Sequence, residues 1–220
     1  MRYYPVYLDM RGRKALVIGG GAVGSRKAQT LLRAGARVTV VSPQASEAIQ
    51  ALAAEGRLTW HPRPYRASDL EAVFLVFAAT DDPELNRRVQ TDAVRANVLC
   101  NLADQPDRGQ FILPSIVERG DLLVSISTCG QSPAVARRLR QELEDRFGEE
   151  YAPFLQLMGA VRTWLIKRGH APEGHRALLN RLIDGGLLAL VKADDRGGID
   201  ALLRSVLGDD MDMARLMNRQ

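Results

Sequence analysis

The run Lys14–Gly24, KALVIGGGAVG, constrains this chain more than any other stretch. Four apolar residues, Ala15 to Ile18, pass directly into Gly19-Gly20-Gly21-Ala22-Val23-Gly24, and an amphipathic segment, Ser25 to Ala34, follows at once. The order is strand, glycine turn, helix, and the glycines keep the G-x-G-x-x-G spacing of a dinucleotide-binding unit. Gly19 lets the backbone turn out of the strand. Gly21, without a Cβ, lets a diphosphate lie against the main chain. Gly24 lets the helix sit close on the sheet. The N–H groups of the first helical turn, near Ala22 and Val23, then face the diphosphate, and the helix dipole adds to the attraction.

The following segments predict a doubly wound parallel sheet. Arg37–Val41 is a β-branched strand ending at Ser42-Pro43-Gln44. Many dinucleotide sites carry Asp or Glu at that strand end to hold the adenosine ribose; here Ser42 stands there, and the hydroxyl or the backbone of Pro43 and Gln44 takes the role. No arginine in 42–45 awaits a 2′-phosphate, which favours NAD over NADP. A helix over Ala45–Glu55, a short strand over Leu58–His61, a loop over Tyr65–Asp69 and a central strand over Val73–Ala79 come next. Asp82-Pro83 opens a helix to Ala96, and Asn97–Asn101 is a further strand with its exit at Leu102–Pro106. Gly19–Gly24, Ser42–Gln44, Thr80 and Asn101–Asp104 all fall at carboxyl ends of strands, where such sheets bind ligands.

From Gln110 the pattern changes. Phe111–Val117 and Leu122–Ser127 are too close in sequence to be anything but antiparallel. Ser132-Pro133 starts a helix running to Phe147. In Tyr151–Gln220, Leu155, Met158, Val161, Trp164 and Leu165 share a face, and Gly185-Gly186 and Gly197-Gly198 divide the segment into four helices. Tyr3–Leu8 reads as an apolar lead-in, an edge strand or a clamp on the sheet.

Composition excludes several classes. No apolar run reaches the ~20 residues of a membrane span, and MRYYPVYLDMRGRK lacks the apolar core of a signal peptide. The net charge is +4, and lysines stand only at 14, 27, 167 and 192, so the other basic residues are arginine. No basic stripe with interleaved aromatics marks a nucleic-acid surface. Two cysteines, Cys100 and Cys129, fit a reducing cytoplasm.

Taken together, the motifs resemble those of the NAD-dependent precorrin-2 dehydrogenases, which occur alone or as the N-terminal module of siroheme synthase. The resemblance rests on Pro5–Leu8, VIGGGAVGSRKAQTLLRAGARVTVVSP (17–43), AATDDPELN (78–86), CNLADQP (100–106), FILPSIVERGDLLVSISTCGQSP (111–133) and ARRLRQELE (136–144). It implies an NAD domain over 1–110, a dimerisation segment over 111–148 and a helical domain over 149–220, in an intimate homodimer. It implies oxidation of the tetrapyrrole precorrin-2 to sirohydrochlorin, with insertion of Fe²⁺ or Co²⁺ in some members.

By the same resemblance Asp104 is the catalytic residue, a carboxylate beside the macrocycle that accepts a proton or stabilises the cation left by hydride loss. From its residues alone, Asp104–Asp107 is a turn with an Asx cap. Gly19, Gly21, Ala22, Val23, Gly24, Ser42, Pro43 and Gln44 line the cofactor, with Thr80 and Asn101 on the nicotinamide side. Ser127, Thr128 and Ser132 line the tetrapyrrole pocket. Relatives have two glycines where this chain has Cys129-Gly130; cysteine tolerates positive φ poorly, so a shifted loop is expected. Cys129 is read as a small inert side chain, and His61, His170 and His175 are scattered, so no metal site is expected. The competing reading is a non-enzymatic NAD-binding regulator, in which Asp104 has no task. A small-acid dehydrogenase lacks its larger substrate domain and a positioned His or Lys.

Overall fold

The computed structural model describes residues 2–168, 172–209 and 211–217. Its packing resolves two compact units, Met1–Leu113 with Cys129–Gln131, and Pro114–Thr128 with Ser132–Gln220.

The first unit is built on five parallel strands: β1 (Lys14–Ile18), β2 (Arg37–Val41), β3 (Thr59–His61), β4 (Leu75–Ala78) and β5 (Leu99–Leu102). They lie in the order β3-β2-β1-β4-β5. Helices α1 (Ala22–Arg33), α2 (Glu47–Ala54) and α3 (Pro83–Arg95) make the crossovers with the β3–β4 connection. Because strand side chains alternate, Ala15 and Val17 of β1 pack with Ala28 and Leu31 of α1 and Ile49 and Leu52 of α2. Leu16 and Ile18 enter the other layer, with Val89 and Ala93 of α3. Two-sided burial explains why these strands read as unbroken apolar runs. Fully burying each large aliphatic side chain contributes about 1.5–3 kcal/mol.

The expected doubly wound sheet is present, with local differences. β1, not β4, occupies the middle. Both are buried on two faces, so hydrophobicity alone does not rank them. The β4 strand starts at Leu75, because Ala72 adopts φ +56° and delays pairing. Tyr3–Leu8 pairs with no strand among the described residues, and Tyr4 is 81% exposed. The Tyr65–Asp69 loop contains a short 3₁₀ turn, Ala67–Leu70.

In the second unit, β6 (Ser115–Arg119) and β7 (Leu122–Ile126) form an antiparallel ribbon. Phe111–Pro114, expected as strand, is irregular; Phe111, still in the first unit, packs edge-on against Phe77 at 5.5 Å. Helix α4 (Pro133–Arg146) starts at Ser132, whose hydroxyl accepts from the Val135 N–H at 3.3 Å. Helices α5 (Tyr151–Lys167), α6 (Pro172–Asp184), α7 (Leu187–Lys192), α8 (Arg196–Leu207) and α9 (Met213–Met217) then share one core. The buried stripe of α5 is Phe154, Leu157, Ala160, Val161 and Leu165; Leu155, Met158 and Trp164 only flank it. Gly185-Gly186 separates α6 from α7 as expected, but Gly197-Gly198 lies inside α8. The break falls one turn earlier, at Asp195, whose carboxylate accepts from the Gly198 N–H. His170 lies outside the described residues.

One ion pair fixes the β3–β4 connection. Arg63 donates to both oxygens of Asp69, at 2.9 and 2.6 Å, and the Arg66 N–H donates at 2.8 Å. Burial opposes ionisation of Asp69, but the Arg63 guanidinium and the Arg66 N–H outweigh it and hold the carboxyl below its ordinary value. The folded chain therefore binds fewer protons here than the unfolded one. The contribution is complete above about pH 4 and is lost as pH falls through the lowered value. Asp69→Asn should cost about 1–3 kcal/mol at neutral pH and flatten the acid limb of stability, read by urea unfolding at pH 3 to 7.

Candidate active site

The glycine loop leaves β1 at Gly19, which adopts φ +115°. Its N–H donates to the Val41 carbonyl at 3.1 Å, so β2 holds the loop's start. A Cβ on Gly24 would stand 2.0 Å from the Gly19 carbonyl oxygen; helix and strand touch main chain to main chain. Gly20, which carries no role in the sequence motif, is as constrained: its Cβ would lie 2.2 Å from the Gln44 oxygen. The Ser46 N–H donates to the Gly20 carbonyl at 2.8 Å. This contact seats the Ser42–Ser46 turn against the loop, and only the tertiary structure reveals it.

Gly21 differs. It is the N-cap of α1, and a Cβ there would meet nothing within 4 Å. No contact within the protein requires a glycine, and the side left bare faces open space beside the exposed Ala22 and Val23. No side chain caps the helix, no acid sits in its first turn, and the helical bonding starts with Ser25 N–H to the Gly21 carbonyl. The N–H groups of Ala22, Val23 and Gly24 are thus left as donors at the positive end of the dipole. A diphosphate fits this cradle.

The neighbouring strand ends complete the edge. The carbonyl of Ser42 accepts from the Trp60 indole at 3.1 Å, while Pro43 and Gln44 are exposed. Thr80 is clamped by buried Asn86: its hydroxyl and N–H both donate to the Asn86 amide oxygen, and Asn86 returns a bond to the Thr80 carbonyl at 3.1 Å. Asn101 is buried, and its amide donates to the Phe111 carbonyl at 2.9 Å. It braces the chain after β5. Asp104 is exposed, two residues past β5, with no hydrogen bond or ion pair among the described residues. The segment carrying it is tied at both ends: Ala103 N–H donates to Ala78, and Gln110 bonds Cys100 through both backbone and side chain. By the β4–β5 register, Ala78 faces Leu102, which places Thr80 and Asp104 beyond adjacent strands.

These residues, Gly19 to Asp104, belong to one compact unit. Ser127, Thr128 and Ser132 belong to the other. The Thr128 hydroxyl donates to the Ser132 carbonyl at 3.1 Å and accepts from the Ser132 N–H at 3.2 Å. With Ser132 capping α4, both hydroxyls shape their own loop; Ser127 is exposed. Cys129 does adopt positive φ, +53°, followed by Gly130 at +85°. Burial pushes the Cys100 thiol up to about 11, so it stays protonated. Among the described residues no group of three His, Cys, Asp or Glu side chains could hold a metal, and no helix is long and apolar enough to cross a membrane.

The sheet order, the bare N-cap and the uncapped first turn of α1 define an NAD(P)-binding Rossmann protein. Comparison agrees: residues 6–115 match a family described as NAD(P)-binding, and residues 119–146 match the central region of sirohaem biosynthesis proteins. The solved structure of SirC, a precorrin-2 dehydrogenase, superposes with a TM-score of 0.78 at 30% identity, over 93% of this chain and 99% of that one. The chain belongs to that family. It is also 37% identical over 191 residues to siroheme synthase 1 of Serratia proteamaculans, covering 87% of this chain and 40% of that protein. With the siroheme synthase of Pseudoalteromonas atlantica it shares 34% over 210 residues, 96% of this chain and 46% of the relative. The chain thus spans less than half the length of the curated relatives it matches.

The two kinds of glycine predict opposite phenotypes. Gly21→Asp should fold normally, since nothing stands within 4 Å, yet lose NAD binding in fluorescence titration, because a carboxylate replaces the diphosphate. Gly20→Ala should lower the melting temperature, because the Cβ collides with backbone at 2.2 Å, by several degrees if the cost is about 1–3 kcal/mol.

Proposed function

We propose that this chain oxidises precorrin-2 to sirohydrochlorin as a step of siroheme synthesis. The observation that carries the reading is Asp104: an exposed carboxylate without a partner among the described residues, beyond β5 and on the same edge as the glycine loop. The strand order reverses between β1 and β4, where dinucleotides lie across such sheets. Ser42–Gln44 would hold the adenosine half of the cofactor, and Thr80, with Asp104 beyond it, would border the nicotinamide half.

Bound NAD⁺ supplies the hydride acceptor. The N–H groups of Ala22, Val23 and Gly24 bind the diphosphate. Asn86 holds Thr80, and Asn101 holds the chain after β5, so both strand exits keep their shape. A hydride and a proton leave the macrocycle together; Asp104 accepts the proton, or balances the positive charge that hydride loss creates. Ser127, Thr128 and Ser132 are read as the residues that meet the substrate's carboxylates, through hydroxyl and main-chain N–H groups. Where Fe²⁺ or Co²⁺ is a second substrate, the same carboxylate takes up the displaced pyrrole protons.

The protein is read as a cytoplasmic homodimer in three parts, 1–110, 111–148 and 149–220. One feature supports the homodimer: Leu123, Val135 and Leu139 leave apolar surface on β7 and α4 for a second copy to cover.

An anaerobic assay with precorrin-2 and NAD⁺ tests the assignment. Asp104→Ala should reduce turnover by about 10²–10⁴-fold while leaving NAD titration unchanged. Full activity in the variant removes Asp104 from the mechanism. Wild type that binds NAD but leaves precorrin-2 unoxidised supports the regulator instead. Sirohydrochlorin with Co²⁺, followed by its absorption change, reads metal insertion separately.

A further inference from the structure

At the amino-terminal ends of the strands, opposite the cofactor loop, lies an open cleft of about 610 Å³ lined by Arg11, Gly12, Arg13, Lys14, Arg37 and Ala72–Phe74. Four of these residues are cations. Their mounting is rigid. The Gly12 N–H donates to the Gly35 carbonyl at 2.9 Å, the Arg13 N–H to Met10 at 3.0 Å, and the Arg37 N–H to Arg13 at 2.8 Å. Lys14 and Arg37 are register partners in the β1–β2 ladder, and the Lys14 carbonyl accepts from the Phe74 N–H.

The side chains are positioned by contacts that leave most of their charge uncancelled. The Arg13 guanidinium lies over the Phe74 ring, 4.9 Å from its centroid. Arg37 Nε donates to the Gly12 carbonyl at 2.8 Å, which fixes the guanidinium through one nitrogen and leaves the Nη pair without a hydrogen bond among the described residues. Lys14 has no ion pair among the described residues. Arg11 is matched by Asp9 at 2.9 and 2.7 Å; that contact, with a smaller share from nearby Arg13, holds the Asp9 carboxyl well below the usual carboxylate range, so Asp9 offsets a little of the Arg13 charge as well. Holding three like charges in one cleft is unfavourable in the free protein, and an anion relieves it. Planar guanidinium forks suit carboxylate or phosphate oxygens in bidentate pairs. A monovalent ion neutralises one cation and is screened at physiological salt; a multivalent one bridges several.

We propose that this cleft is a second anion site, for a small multivalent anion of the polyphosphate or polycarboxylate class, distinct from the cofactor cradle. The two sources share the same recognising chemistry, and the probes separate them.

The test uses the full chain without NAD, titrated calorimetrically with tripolyphosphate and, in a second arm, with citrate. Because the empty cofactor loop also offers phosphates a cradle, the second site is read in Gly21→Asp, which closes only that loop and should still bind tripolyphosphate. Added to Gly21→Asp, the double change Arg13→Gln/Lys14→Gln should weaken tripolyphosphate binding at least tenfold with a cooperative melting curve retained, and in the otherwise wild-type chain it should leave NAD titration unchanged. Citrate binding of similar strength assigns the site to multivalent anions at large; its failure beside tripolyphosphate binding assigns the site to phosphates. The proposal is overturned if neither probe binds Gly21→Asp, or if adding Arg13→Gln/Lys14→Gln to Gly21→Asp leaves binding unchanged.

Discussion

The contact on which the cofactor edge depends is that between the first turn of α1 and the carbonyl of Gly19. With a Cβ on Gly24 only 2.0 Å from that oxygen, no other residue allows the helix to start where it does. The close approach aims three unbonded N–H groups past the end of β1. A displaced helix would keep its dipole but point it away from the crevice. Binding geometry here is thus a packing problem solved in the core, with the exposed residues following from it.

The same logic orders the other strand exits. Trp60 holds the Ser42 carbonyl, Asn86 holds Thr80, and the Asn101 amide holds Phe111. Each is a buried or half-buried polar group whose partner is main chain, so each stiffens a loop at little desolvation cost. Against this bonded background Asp104 is the exception. A carboxylate that none of the described residues engages remains available to a substrate, and the ties at Ala103 and Gln110 keep its backbone in place.

Much of this was legible in the chain, and for local reasons. Asp82-Pro83 and Ser132-Pro133 carry their helix starts within four residues, and both caps form as the residue types require. The glycine spacing and the Arg37–Val41 run likewise need no distant partner to be read. Legibility ended where the cause is tertiary. Gly20 looks like a spacer until the Gln44 oxygen is seen beside it. Phe111–Pro114 has strand composition, but Phe111 finds Phe77 in place of a ladder. In α5 the phase of the stripe was misplaced, because Leu155 and Trp164 are as apolar as the buried Leu157 and Val161, and only packing distinguishes them. Gly197-Gly198 resembled a helix stop, yet Asp195 recruits the pair into a first turn.

The central position of β1 has a consequence for motion. Its amides and carbonyls are bonded on both sides, to β2 and to β4, and its residues from Ala15 to Ile18 are at most 1% exposed. Amides so enclosed exchange with solvent only when the whole unit opens, whereas those of short peripheral elements exchange through local fraying. The loop that grips the diphosphate is therefore grafted onto the slowest-opening part of its unit. Thermal fluctuation at the rim leaves the grip's origin still.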